Sequence, residues 1–174
     1  MPRLTVFMPA FNAAPFIARS VRTTLRAMPR DAGLLVFDDG STDDTAAEAE
    51  RGGRGDPRLR IVRGPGSGSP GGAAGAAMQH VDSEFVGRVD ADDITLPGRF
   101  TAQMGALGRH DFVFSQMMPF STRPPRLGAP APWRIGAEAM PLRLLLGNPV
   151  PQPTATMRTV ALERAGGYAD VVSE

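Results

Sequence analysis

Short apolar runs and helix-spaced apolar positions take turns along the chain. Residues 4–8, apolar and β-branched and closed by Pro9, predict a strand, and Ile17, Val21, Leu25 and Met28 then recur at helical spacing after Asn12. Residues 34–37 repeat the apolar run and end in Asp38-Asp39-Gly40-Ser41-Thr42-Asp43, after which the Ala- and Glu-rich residues 45–50 predict a second helix. The same alternation predicts strands at 59–62, 85–89 and 112–114 and helices at 73–81 and 97–107, the latter opening near Pro97, a residue suited to a first helical turn. Beyond a Pro-, Ser- and Arg-rich stretch at 118–132, a helix is expected at 137–146, a strand at 155–158, and a short helix at 160–165 stopped by Gly166-Gly167. Strands alternating with helices predict an α/β fold: a single domain built on a Rossmann-like, mostly parallel sheet with right-handed crossovers and helices on both faces.

In such sheets ligands bind beyond the carboxyl ends of the strands, and the acids of this chain lie there. Asp38 and Asp39 close the second strand, and Asp90, Asp92 and Asp93 close the fourth. Parallel strands would bring both groups to one crevice. Like charges held together raise one another's pKa unless a cation joins them. Mg²⁺, which takes one or two carboxylates plus phosphate oxygens, suits Asp90-Ala91-Asp92. For Asp38 to Ser41 alone, turn and cap chemistry is an equal explanation.

Composition narrows the chemistry. With no cysteine and two histidines, His80 and His110, thiolate zinc and histidine-rich metal centres are excluded. Nineteen basic against eighteen acidic residues give a net charge of +1, so no face is built to neutralise nucleic-acid phosphates. The 174 residues suit one domain, and the 20 glycines and 17 prolines concentrate at 52–55, 64–75 and 123–132, which predicts loops there. No apolar run approaches the ~20 residues of a transmembrane helix. The N-terminus opens directly into a strand pattern, so a cytoplasmic protein, or one held at the membrane surface, is expected.

Taken together, Thr5-Val6-Phe7-Met8-Pro9-Ala10-Phe11-Asn12, Val36 through Thr45, and Arg88-Val89-Asp90-Ala91-Asp92-Asp93, continued by Pro97, Arg99, Phe100 and Gln103, resemble the family 2 glycosyltransferases of the GT-A fold. Later, Asn148-Pro149-Val150-Pro151, Thr154 to Arg158, Glu163 and Gly166-Gly167-Tyr168 are similar to that family's acceptor-side segment. The resemblance implies an inverting, metal-dependent transfer of a sugar from a nucleotide diphosphate, a UDP-sugar fitting best, to a carbohydrate or lipid-linked acceptor. It implies that Pro9, Ala10, Phe11 and Asn12 pack on the nucleoside, with Phe11 where tyrosine is commoner. Asp38 or Asp39 would accept a hydrogen bond from the base, Arg88 would belong to the donor site, and Asp90 would reach the ribose or metal-bound water. Asp92, with Asp90, would hold Mg²⁺ or Mn²⁺ through the DxD motif. Residues 1–117 would then be the nucleotide-sugar half and residues 118–174 part of the acceptor side.

In the family an acidic pair follows the Gly-Gly-Tyr segment and supplies the base. Glu174 matches the first acid, so the second is expected just past Glu174, in a chain truncated there. The family's polar residue in the helix before the DxD strand is also missing, since 71–77 is small and apolar throughout. Other readings compete. Gly66 to Gly71 spells G-x-G-x-x-G, but after a third strand rather than in a first βα turn, which favours a flexible loop over a dinucleotide site. A nucleotidyltransferase would want a basic triphosphate loop after Pro9, where only Arg19 and Arg22 stand, and a noncatalytic nucleotide-sugar-binding module is the alternative from another class. The chain has no lysine, hence no P-loop. His80 and His110 are expected at the surface or as caps, Trp133 against an acceptor sugar or the domain, and Met117 and Met118 in the core or at its rim.

Overall fold

In a computed structural model, which describes residues 2–118 and 135–168, six strands form one sheet in the order β3-β2-β1-β4-β6-β5. The elements run β1 (Leu4–Ala10), α1 (Ala14–Ala27), β2 (Ala32–Asp38), α2 (Thr45–Gly53), β3 (Leu59–Arg63), α3 (Pro70–Met78), β4 (Phe85–Arg88), α4 (Arg99–Ala106) and β5 (Phe112–Val113). After the undescribed residues come α5 (Met140–Leu146), β6 (Thr156–Arg158) and α6 (Thr159–Arg164). The first four strands pair in parallel, and β6 runs antiparallel between β4 and β5.

The central strands are apolar at almost every position because both faces of the sheet are covered, as parallel sheets require. Val6 and Met8 with Leu34 and Val36 face one core, shared with Ile17, Val21 and Leu25 of α1. Phe7, Leu35 and Phe37 face the other, shared with Ala74 and Ala77 of α3. The helix-spaced residues read from the sequence are thus the buried stripe of α1, except that Met28 lies one residue past its end. Strand β1 continues through Pro9. Phe7 O accepts from Val89 N on the β4 side and Ala10 O from Asp39 N on the β2 side. Pro9 therefore turns its missing donor toward β4, beyond Arg88, the last residue paired with β1.

Helix α3 begins at Pro70, three residues before the expected start. Ser69 caps it by accepting from Gly72 N at 2.9 Å, and Pro70 occupies the first turn, so part of the glycine-rich stretch expected to be loop is helical. Met117 and Met118 are exposed, so of the two expected positions they take the rim. The ring of His80 lies 6.0 Å from that of Phe37, just after α3.

Two further consequences can be measured. Helix α2 crosses α1 where Gly52 meets Ala18, and a Cβ on Gly52 would lie 2.5 Å from the Ala18 carbonyl oxygen. Gly52→Ala should cost about 1–3 kcal/mol in urea unfolding, because one backbone must move; an unchanged midpoint would show that the helices separate freely. Asp56 accepts from Arg58 Nε at 3.0 Å and Nη2 at 2.7 Å, while the same guanidinium reaches Leu25 O and Pro29 O at the end of α1. The Arg58 hydrogen bond holds the Asp56 carboxyl below the ordinary carboxylate range. A lowered folded pKa gives stability that is present above the unfolded value and lost as pH falls through the folded one. Asp56→Asn should therefore cost about 1 kcal/mol near neutrality, a value limited by solvent screening, and the difference should begin to shrink only below about pH 4 and vanish once the pH lies under the lowered folded value. A difference that persists in acid would refute the assignment.

Candidate active site

The strand ends are followed by loops that hold one another. Asn12 adopts a left-handed φ of +49°, which asparagine tolerates, and its Oδ1 accepts from Thr42 N at 2.9 Å. In return Asn12 N donates to Ser41 Oγ, Ala13 N to Thr45 Oγ1 and Ala14 N to Asp43 Oδ2, at 2.9, 2.7 and 3.1 Å. Asp43 also accepts from Thr45 N and Thr45 Oγ1, and the Thr45 hydroxyl is the main cause that lowers its pKa. Residues 41–45 thereby fasten the start of α1 to the start of α2.

Asp38 and Asp39 part company. The Asp38 side chain, 1% exposed, accepts from Ser41 N at 3.0 Å and pairs with Arg63 Nε at 3.1 Å, and Asp38 does not line the cleft. Asp39 lines a cavity of about 620 Å³ and accepts from Ser67 N at 2.9 Å and Ser67 Oγ at 2.6 Å. Of the two acids expected at the base, only Asp39 is placed to meet one. Gly40, at φ +79°, brings its backbone so near Gly66 that a Cβ would lie 3.0 Å from it, so the glycine loop closes against the end of β2.

Pro9, Ala10, Phe11, Asn12, Arg88, Asp90 and Asp92 line the same cavity. Every expected donor-site residue except Asp38 is therefore brought together, and the acids of β2 and β4 share one crevice at the carboxyl edge of the sheet. Glu174 and Trp133 lie outside the described residues. Phe16, Gly68, Ser69 and Ala73 also line the cavity without having been expected there. Phe16 was signalled only as an aromatic off the buried stripe of α1, and it stands 52% exposed beside Phe11 at 62%. Ala73 of α3 makes that wall apolar, in keeping with the missing polar residue.

On the β4 side, Ser20 Oγ of α1 donates to Asp90 O at 3.0 Å and fixes the acidic turn. Arg88 Nε donates to Asp90 Oδ1 at 3.1 Å, so Arg88 pairs with the acid cluster rather than reaching solvent. Burial first, then Asp90 and Asp92, push the Asp93 carboxyl above the ordinary range. Behind the turn, burial brings the Arg99 guanidinium down to about 10, opposed by the charges of Asp93 and Asp90. Among the described residues, no three His, Asp or Glu side chains form a ready-made metal site. The donor set fits a cation held partly by its ligand: two cavity-lining carboxylates, Asp90 and the exposed Asp92, with the remaining positions open to phosphate and water. Among the described residues no helix is long and apolar enough to cross a membrane.

This sheet, with its strand-end cleft, is the GT-A transferase fold. A mannosyltransferase from Pyrobaculum calidifontis, solved with GDP-Man and Mn²⁺, superposes with a TM-score of 0.74 at 21% identity over 98% of this chain and 48% of its own. S. aureus TarS in complex with UDP-GlcNAc gives 0.73 at 22% identity over 97% of this chain and 48% of its own. The chain belongs to glycosyl transferase family 2, whose model matches residues 5–163. The succinoglycan biosynthesis protein ExoU of Rhizobium meliloti is 42% identical over 108 residues, covering 62% of this chain and 31% of that protein. Chondroitin synthase of Escherichia coli is 30% identical over 97 residues, 56% of this chain and 14% of that protein. The matched stretches thus cover less than a third of either relative.

Proposed function

We propose that this chain carries the donor site of a metal-dependent, inverting glycosyltransferase that takes a UDP-sugar. The observation that carries the reading is that Asp39, from the end of β2, and Asp90 and Asp92, after β4, line one cavity. Pro9 and Ala10 with the exposed Phe11 ring offer an apolar bed for a nucleobase. Asp39, with carboxylate lone pairs beyond those used by Ser67, accepts the imide N–H of uracil. Asp92 and Asp90 are the groups that would hold Mg²⁺ or Mn²⁺ against the diphosphate. A divalent cation bound there supplies charge neutralisation to the departing diphosphate.

Transfer with inversion requires an acceptor hydroxyl to attack the anomeric carbon as the bond to the diphosphate oxygen breaks, with its proton passing to a carboxylate. We assign that proton to the Glu174 carboxylate. Residues 1–117 carry the donor and residues 118–174 the start of the acceptor side, for a carbohydrate or lipid-linked acceptor at the cytoplasmic membrane surface. The exposed Leu142, Leu144, Leu145 and Leu146 of α5 favour such a surface over bulk solution.

Calorimetry with UDP, with and without Mn²⁺, tests the reading. UDP should bind in the presence of Mn²⁺ and at least tenfold more weakly after chelation. Equal affinity for ATP, or none for UDP, would refute it.

A further inference from the structure

We infer that Tyr168 is a positioning residue, whose ring holds the Arg88 guanidinium in the attitude that presents it to the donor's phosphates. The inference rests on the donor-site reading above and extends it to a residue on the acceptor-side segment.

Arg88 is the cation of the cavity wall beside the acidic turn, and its side chain is only 12% exposed. Its Nε is committed to Asp90 Oδ1, which leaves the two terminal nitrogens of a planar fork, the geometry that takes phosphate oxygens in pairs. A side chain with this many torsions is not held by one hydrogen bond. The second restraint is the Tyr168 ring, whose centre lies 5.7 Å from the guanidinium carbon. The ring is itself fixed edge-on to Phe7 of β1, with centroids 5.6 Å apart and planes at 71°. Tyr168 does not line the cavity, and it packs with the core on the α3 side of the sheet.

The Tyr168 hydroxyl is buried without a hydrogen-bond partner. A buried hydroxyl left unpaired is unfavourable, and the Arg88 side chain acts on the hydroxyl as well as on the ring. The aromatic face gives a contact that does not need the oxygen: a cation over a π system is attracted whether or not the ring carries it. The ring therefore links the Gly-Gly-Tyr segment to the phosphate end of the donor site. The order of Arg88 depends on whether the chain at 166–168 is docked.

The test compares UDP with uridine on the whole chain in the presence of Mn²⁺, the ratio of the two dissociation constants giving the contribution of the phosphates. Tyr168→Met keeps apolar volume against Phe7 and removes the π face. It should lower that ratio about tenfold while changing uridine affinity less than twofold. Tyr168→Phe should keep the wild-type ratio. In an Arg88→Leu background the Tyr168→Met change should have no further effect on the ratio, an outcome that a merely structural role would not produce. Should Tyr168→Met not fold, Tyr168→Leu and the Arg88→Leu/Tyr168→Phe pair carry the same comparison. Equal losses for uridine and UDP, an additive double variant, or a Phe variant as impaired as Met would each overturn the inference. Failure of the wild-type protein to bind UDP would instead overturn the donor-site reading, and this inference with it.

Discussion

Asp92→Asn is expected to abolish the Mn²⁺-dependent part of UDP binding, lowering affinity at least 100-fold with Mn²⁺ present and leaving uridine binding untouched. The size follows from what is removed. Changes in groups that merely support metal ligands typically cost 10–100-fold, and a direct carboxylate ligand exceeds that. The fold should not suffer, because Asp92 is exposed and its charge is one of the causes that raise the Asp93 carboxyl. Neutralising it relieves repulsion in the turn, so Asp93 should titrate lower in the variant, a shift readable by carboxyl NMR. UDP affinity that stays at the wild-type level with Mn²⁺ present would remove Asp92 from the metal site.

Arg99→Leu should be the most damaging single change to stability, about 3–5 kcal/mol in urea unfolding, the range for breaking a buried charge from its partners. Arg99 Nη2 donates to Arg88 O at 2.7 Å and to Pro153 O at 2.9 Å, and Nε donates to Gln103 Oε1 at 3.2 Å. Gln103, 5% exposed, passes the connection on, donating to Thr154 O at 2.7 Å and accepting from Thr156 Oγ1 at 2.8 Å. One guanidinium thus ties the end of β4 to the segment that leads into β6. Its loss orphans two carbonyls and leaves the Asp90 to Asp93 turn without its buried counter-charge. Leucine fills part of the volume, so a cost below about 1 kcal/mol would mean that the turn is held by other contacts.

The alternation of strands and helices was legible because both faces of the sheet are buried, which leaves runs such as residues 34–37 apolar throughout. The convergence of Asp39 with Asp92 was legible for the same reason, since parallel strands put their ends on one edge. The division of labour within Asp38-Asp39 was not, because both acids are buried and only Arg63, on another strand, marks Asp38 as the one that does not line the cavity. The start of α3 was hidden by glycines that give no periodicity, although Ser69-Pro70 is a helix-start pair. The direction of β6 was unreadable, as three residues carry no pattern to set against a partner.

Strand β6 lies between β4 and β5, although it is the last of the described strands in the sequence. On the ribosome, therefore, β4 waits with one bare edge until residues 156–158 emerge, and β5 has no neighbour at all before then. A nascent chain stalled short of that point would offer unpaired backbone to its siblings, the usual seed of aggregation. Expression of residues 1–117 alone should yield insoluble material for that reason, however complete their share of the nucleotide cleft.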